Sequence, residues 1–320
     1  MSAAGIAGTV AQVGAVAGGA PGVIGAMRQV RARLEGRAGP GAAQPYRDLR
    51  KLLTKEQLVP EGTTVVFAWA PAVIAAAALV TASIVPLATL GSPMDQAGDL
   101  FAVVGLLLMG TVALILAGLD TGTPFGGMGA SREATIAALV EPTILLAVFA
   151  LSVPANSSNL SVMVADTTRH AGHVLSPAGA LAFAALVVVV VAETGRLPVD
   201  NPSTHLELTM VHEAMVLEYS GPKLAVIEWG AAMRLTVLLG VVANLFVPWG
   251  IAAGRGGAID VLIGLVAIAA KITAAAVALA TVEVFLAKIR LFRVPELLAG
   301  SFLLALLAVT ASYFLVGRPG

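Results

Sequence analysis

The stretch that decides the fold of this chain reads ETGRLPVDNPSTHLELTMVHEAMVLEYSG and covers residues 193–221. It carries five carboxylates and two histidines, yet it lies between two apolar runs that we expect to cross a bilayer. Ionisable groups at or near membrane depth are costly to bury and usually serve a function. The stretch therefore predicts a membrane protein whose central charged segment has a role beyond packing.

The composition of the whole chain agrees with this prediction. Of its 320 residues, 58% are hydrophobic and 12% are charged, whereas soluble domains have about 25% charged residues. The 19 basic and 19 acidic residues balance, so net charge does not favour a nucleic-acid partner. The chain has no cysteine, which excludes disulfides, cysteine-ligated iron–sulfur clusters and thiol catalysis within it.

We predict an all-α, polytopic membrane protein in which residues 1–320 form one domain with about eight transmembrane helices. A helix needs about 20 mostly apolar residues to cross the hydrocarbon core. The expected spans are roughly 3–27, 63–87, 100–119, 134–153, 177–192, 228–250, 258–281 and 296–316. The cytoplasmic loops should add amphipathic and charged helices, because Leu49, Leu52 and Leu53 recur at helical spacing between charges. That loop helix would contact either lipid headgroups or a partner subunit.

The positions of Lys and Arg predict the orientation. If the N-terminus is outside, fourteen basic residues lie in the inner loops, and the outer loops hold only Arg169, Arg255 and Arg318. Cytoplasmic loops carry an excess of basic residues. We therefore expect both termini outside and residues 193–221 in the cytoplasm.

Four polar residues interrupt the apolar spans: Glu141, Asn244, Lys271 and, at the end of the fifth span, Glu193. A charge at the bilayer centre costs about 3 kcal/mol on insertion scales, so these side chains should face the bundle interior or a wet cavity. We interpret Glu141 and Glu193 as members of a polar proton path. For Lys271, a structural pair with a carboxylate is the alternative.

The central segment allows several interpretations. On a helix starting near Ser203, His205 and His212 would share one face, as would Glu207 and Glu218. The sequence HEAMV from residue 212 lacks the second histidine of a zinc-protease motif, and no nucleophile motif of a hydrolase is present. A solvated acidic loop stays open as an alternative, but the apolar residues between the acids favour a semi-buried chain of carboxylates.

The central segment and three further stretches resemble the respiratory complex I subunit 1 family. These stretches are EGRAGP (35–40) with QPYRDL (44–49), TPFGGMGASRE (123–133) and VEVFLAKIRLFRVPE (282–296). The sequence NPSTHLEL (201–208) is similar to the branch of formate hydrogenlyase, hydrogenase-4 and other membrane-bound nickel–iron hydrogenases. Val199 departs from the phenylalanine that is usual in this motif.

The resemblance implies a membrane anchor beneath a hydrophilic electron-transfer arm, in a bacterial or archaeal cell membrane. The expected partners are an iron–sulfur subunit, a hydrogenase-like large subunit and antiporter-like membrane subunits. Iron–sulfur clusters and a nickel–iron centre are expected in those partners, a quinone is possible, and this chain would hold no cofactor, no metal and no catalytic residue.

The resemblance also implies the functional residues. The expected proton path comprises Glu141, Glu193, Asp200, Glu207, Glu213 and Glu218, to which we add Lys271. The expected charge-partner or subunit-docking residues are Arg37, Arg132, Glu133, Arg196, His205, His212, Arg290 and Arg293.

Two alternative functions are open. One is the quinone-site membrane subunit of an NADH-quinone oxidoreductase. The sequence of residues 201–208 argues against this alternative. The other is a stand-alone ion transporter, which predicts pseudo-symmetric halves with paired broken helices. We see no such halves in the sequence.

Overall fold

The computed structural model describes residues 3–90, 92–200, 210–252, 257–286 and 293–316. The helices in these ranges are α1 (Ala3–Leu34), α2 (Gln44–Leu53), α3 (Val65–Ile84), α4 (Leu100–Asp120), α5 (Pro124–Ala155), α6 (Leu160–Arg169), α7 (Ala171–Val174), α8 (Pro177–Glu193), α9 (His212–Val216), α10 (Gly221–Phe246), α11 (Ala258–Phe285) and α12 (Val294–Val316). The described part of the chain contains no β-strand, only two isolated bridges. Helices α1, α3, α4, α5, α10, α11 and α12 are long and apolar enough to cross a membrane. The chain is therefore an all-α, multi-pass membrane protein, as predicted.

The fifth predicted span, which is not among these seven helices, is the short helix α8. It has 17 residues and a length of about 26 Å at 1.5 Å per residue, less than the roughly 30 Å of a hydrocarbon core. It is therefore shorter than the core that it would cross. Residues 194–200 continue from there without a helix or strand, which membranes tolerate where the backbone lines a cavity.

Helix α5 begins ten residues before the expected span. Thr123 Oγ1 accepts a hydrogen bond from the amide of Gly126 at 3.2 Å, and Pro124 occupies the first turn. Both are favourable at a helix N-terminus. As a result, Arg132 and Glu133, which we expected in a loop, lie on a helix about 48 Å long.

The helix expected to run from Ser203 past His212 is not found in the described residues. Residues 201–209, which include His205 and Glu207, lie outside them. Helix α9 begins at His212 and has five residues, so Glu218 lies beyond its end. The break is seen at Val211, whose φ of −120° and ψ of −79° are not helical. The amide of the next residue, His212, donates to Asp200 Oδ2 at 3.2 Å.

Successive long helices alternate in direction and create two ends of the bundle. At the end that we call the basic end, where α1, α4, α8 and α11 finish, Asp120 accepts hydrogen bonds from Thr64, and Ser220 contacts Leu58. At the opposite end, the amide of Leu90 donates to the carbonyl of Ala252 at 2.9 Å. Helix α5 packs against α4, α8 and α12, whereas α10 packs against α1, α3 and α11.

The amphipathic helix predicted in the first loop is α2. It lies against α1 and α10 at the basic end. Tyr46 donates a hydrogen bond to the carbonyl of Gly18 at 2.6 Å, and Pro45 is buried. Helix α2 thus packs onto the bundle rather than contacting only lipid.

Two buried amides hold the chain at the opposite end, where α3 finishes. Gln12 donates to the carbonyls of Ala82 and Val85 at 2.7 and 2.8 Å, and accepts from the amide of Ala88 at 2.8 Å. Asn244 donates to two further carbonyls of this segment, at residues 86 and 87. Because buried backbone groups must be paired, these side chains determine the path between α3 and α4.

We predict that Gln12→Leu destabilises the protein by at least about 2 kcal/mol, because it leaves buried backbone groups without partners. Thermal unfolding of the purified chain in detergent measures this loss. Gln96→Leu is the matched control, because Gln96 is exposed and should tolerate the same change. Equal unfolding temperatures for both variants would contradict the assigned role of Gln12.

Candidate functional site

A cavity of about 280 Å³ lies at the basic end, between α1, α2, α4, α10 and the segment that follows α8. Its charged and histidine lining residues are Arg28, Arg31, Asp48, Glu133, Glu193, Arg196, Asp200, His212, Glu213, Glu228, Arg234 and Glu283. Six residues that the sequence analysis named separately therefore meet around one cavity: Glu133, Glu193, Arg196, Asp200, His212 and Glu213.

The innermost part of this site is an ion pair between Glu193 of α8 and Arg234 of α10. The Glu193 side chain is 2% exposed. Arg234 also donates to the carbonyl of Leu107 at 3.1 Å and to the hydroxyl of Thr111 at 2.6 Å, both on α4. One guanidinium thus joins three helices, because its donors point to several acceptors at once.

Glu141 of α5 lies beyond this pair. Its side chain is buried, and neither of its carboxylate oxygens has a hydrogen-bond partner among the described residues. Arg234 is the charged group that acts on it. Burying an unpaired carboxylate is expensive, whereas a carboxylic acid avoids most of that cost. The position therefore suits a group that gains and loses a proton.

Glu133 and Glu141 both belong to α5 and are eight residues apart. That spacing corresponds to about 12 Å along the helix axis. Glu133 lines the cavity, whereas Glu141 does not. Ionisable groups therefore continue from Glu133 at the cavity, through the ion pair of Glu193 and Arg234, to Glu141. We call Glu133, Glu193, Arg234 and Glu141 the inner column.

A second ion-pair network lies beside the inner column. Glu283 of α11 binds Arg196 at 3.2 Å and Arg31 of α1 at 3.3 Å, and its side chain is 1% exposed. Burial lowers the pKa of the Arg196 guanidinium, and the neighbouring Glu283 carboxylate acts against that shift. The predicted charge partner Arg196 is thus paired with Glu283, which was not among the expected path residues.

The segment between α8 and α10 is held against α5. Asp200 is buried and accepts from the amide of His212, and Arg132 donates to the carbonyl of Met210 at 2.7 Å. Arg132 therefore has a structural contact inside this chain.

The same segment also contacts α3. Tyr219 stacks on Phe67 with ring centroids 4.0 Å apart and donates to its carbonyl at 2.9 Å.

Other predicted residues lie away from the cavity. Glu218 is half-buried but does not line it. Lys271 donates to Asn244 at 2.9 Å, beside the segment that ends α3. Its partner is thus an amide rather than a carboxylate.

Four docking candidates and one path candidate complete the account. Arg37 is exposed and pairs with Glu35, and Arg293 is exposed beside Glu296 at 3.7 Å. His205, Glu207 and Arg290 lie outside the described residues.

Sequence reasoning missed Arg234 and Glu283. Arg234 is a cation inside the predicted span 228–250, so the criterion that found Glu141 could also have found it. Glu283 lies two residues beyond the predicted span 258–281 and within a stretch that carries the family resemblance. Its burial between two arginines had no signal in the sequence.

We predict that Arg234→Met destabilises the protein by about 3–5 kcal/mol, because it leaves the carboxylate of Glu193 buried without its cation. The double variant Arg234→Met with Glu193→Gln should lose less, since both charges are removed. Thermal unfolding in detergent compares the two variants. A double variant as unstable as the single one would show that the unpaired charge of Glu193 does not cause the loss of stability.

The sequence matches the NADH dehydrogenase family over residues 8–313. Formate hydrogenlyase subunit 4 of Escherichia coli K12 is 35% identical over 293 residues, which cover 90% of this chain and 92% of that protein. Hydrogenase-4 component C of the same organism is 36% identical over 227 residues, covering 71% of this chain and 70% of that protein.

The fold also has a solved counterpart. A chain in the structure of the membrane-bound sulfane sulfur reductase, an archaeal respiratory membrane complex, superposes with a TM-score of 0.80 at 18% identity. The match covers 95% of this chain and 98% of that chain. The protein is therefore a member of the NADH dehydrogenase family, to which subunit 1 of respiratory complex I belongs.

Proposed function

We propose that this chain is the membrane-anchor and proton-coupling subunit of a complex similar to formate hydrogenlyase or hydrogenase-4. The inner column is the observation that carries the proposal, because it joins a cavity at one end of the bundle to the unpaired, buried carboxyl of Glu141. The relationship to formate hydrogenlyase subunit 4 extends over nine-tenths of the chain and supports the choice of complex.

The basic end is the proposed docking surface for an iron–sulfur subunit and a hydrogenase-like large subunit. Helices α1 and α2 line the cavity, and these helices and the loop between them carry exposed basic residues: Arg33, Arg37, Arg47, Arg50 and Lys51. A partner that carries the redox centre would sit above the ionisable groups of the cavity. Antiporter-like membrane subunits would lie alongside the bundle and accept protons from the inner column.

The proposed coupling is electrostatic. A unit charge that appears about 10 Å from a buried carboxylate changes its energy by about 1.7 kcal/mol at an effective dielectric constant of 20. A change of that size alters the equilibrium ratio of protonated to ionised carboxyl by roughly a factor of ten. A redox event in the docked subunit would thus act first on the groups that line the cavity, which include Glu193, and then on Glu141. No residue of this chain would make or break bonds of the substrate.

The basic end would face the cytoplasm, because basic loops stay on that side of a cell membrane. The start of α1 and the end of α12 lie at the opposite end, so both termini would be outside. Iron–sulfur clusters and a nickel–iron centre would belong to the docked subunits.

The cavity also supports a second candidate function, the quinone-site subunit of an NADH-quinone oxidoreductase. Ile24, Met27 and Leu235 supply an apolar side to the cavity, and its volume of about 280 Å³ is close to the lower limit of ligand pockets. The dense charge of the remaining lining favours the coupling role.

Isolation of the chain from its native membrane in mild detergent, with mass spectrometry and metal analysis, tests the proposed complex. We expect an iron–sulfur subunit, a hydrogenase-like large subunit and nickel to accompany it. Flavin and NADH-oxidising subunits would support the second candidate, and a chain that purifies alone would contradict both.

A substitution in the inner column tests the proposed coupling. Glu141→Gln keeps the size of the side chain but cannot exchange a proton, so proton translocation per turnover should fall roughly tenfold or more while the complex still assembles. A pH-sensitive dye in inverted membrane vesicles, read together with substrate turnover, measures the ratio.

Glu61→Gln is the matched control for this experiment, because Glu61 is exposed in the loop before α3. It should leave the ratio unchanged. Full translocation in Glu141→Gln would exclude Glu141 from the path.

A further inference from the structure

We propose that Asp166, His170 and His173 form a binding site for a divalent transition-metal ion of the Zn²⁺ type, at the end of the bundle opposite the basic end. One potential ligand atom from each of these residues lies within 4.8 Å of the others. The three residues belong to the connection between α5 and α8, so α8 separates them from the cavity residue Glu193. The proposal does not rest on the proton-coupling function.

The backbone of this connection brings the three side chains together. Helix α6 ends at Arg169, and His170 leaves the helical conformation with φ −127° and ψ 69° before α7 begins. The amide of His170 still donates to the carbonyl of Asp166 at 2.8 Å, and the amide of His173 donates to the carbonyl of His170 at 3.0 Å. The bend therefore turns both imidazoles onto one carboxylate.

The side-chain distances suit a metal ion. His170 Nδ1 lies 2.9 Å from Asp166 Oδ1, and His173 Nδ1 lies 2.8 Å from Asp166 Oδ2. Zinc binds imidazole nitrogen and carboxylate oxygen at about 2.0–2.2 Å, so tetrahedral ligands are separated by about 3.3 Å. Moving each pair apart by about 0.5 Å admits the ion, and rotation of exposed side chains can supply such a movement without a change of the backbone.

Exposure and charge are also compatible with metal entry. The side chains of His170, His173 and Asp166 are 60%, 41% and 20% exposed, so an ion can reach them from solvent. Metal binding needs a deprotonated carboxylate and neutral imidazoles, so affinity for the ion should fall at low pH. Three protein ligands leave a fourth position for water or an external ligand.

A bound ion would act on α8. Ser176 Oγ donates a hydrogen bond to the carbonyl of His173 at 2.7 Å, and Ser176 Oγ accepts one from the amide of Gly179 at 3.1 Å, in the first turn of α8. The ion would link the end of α6 to this cap. It would thereby hold the start of the helix whose other end carries Glu193.

Titration of the full chain with Zn²⁺ tests the proposal, using protein purified in detergent with a histidine-free affinity tag. Competition with a chromophoric chelator should show one ion per chain. His170→Ala and His173→Ala should each weaken binding by more than the roughly 10–100-fold that loss of an outer-shell partner costs. Asp260→Asn is the control, because Asp260 is an exposed carboxylate at the same end and should leave binding unchanged.

X-ray absorption at the zinc edge provides a second measurement, which needs no variant and so does not depend on how the variants fold. We expect two imidazole ligands and light oxygen ligands on the wild-type chain. Absence of stoichiometric zinc from the wild-type chain would overturn the proposal. So would zinc that both histidine variants retain with unchanged affinity, since that result would describe an adventitious ion only.

Discussion

The ion pair between Glu193 and Arg234 is the interaction on which the rest of this structure depends. Removing two charges from water is costly, and the pair repays that cost only if further donors and acceptors complete it. Leu107 and Thr111 supply these acceptors from α4. The relative positions of α4, α8 and α10 are therefore constrained by one cluster of polar atoms inside an otherwise apolar bundle. A small shift of any of these helices would leave a charge unpaired.

The short length of α8 makes this arrangement possible. The helix ends at Glu193, and the residues after it, from Thr194 to Leu197 and Asp200, line the cavity. The same segment carries Arg196, whose pairing with Glu283 and, through it, with Arg31 links the cavity to α1 and α11. Two ion-pair networks thus meet at one cavity. A change of charge there would act on both, which is the physical basis of the proposed coupling role.

The two ends of the bundle use polar groups differently. At the basic end, ionisable side chains surround a cavity and form ion pairs with one another. At the opposite end, Gln12 and Asn244 pair with backbone groups, and Lys271 is joined to this structural cluster through Asn244. An amide satisfies carbonyls and amides without a charge, so it stabilises a connection at lower cost than an ion pair. This difference argues for a structural role of Lys271 in the folded chain.

The sequence by itself determined the class of protein and most of its spans, because bilayer thickness imposes a length of apolar residues that can be read locally. It also predicted that Glu141 and Glu193 are buried carboxylates, since a carboxylate in an apolar run is conspicuous wherever that run packs. The predicted start of α5 is ten residues too late, because apolarity alone does not include the N-terminal cap at Thr123 and Pro124.

Only the tertiary structure decided which charges meet. The spans are apolar on all sides, so their periodicity does not show which face of one helix meets which neighbour. The partner of Glu193 therefore turned out to be Arg234 rather than Arg196, and Arg196 pairs with Glu283 from the other side of the bundle. Ion pairs between helices depend on side chains brought together from distant parts of the chain, and local sequence carries no measure of that distance.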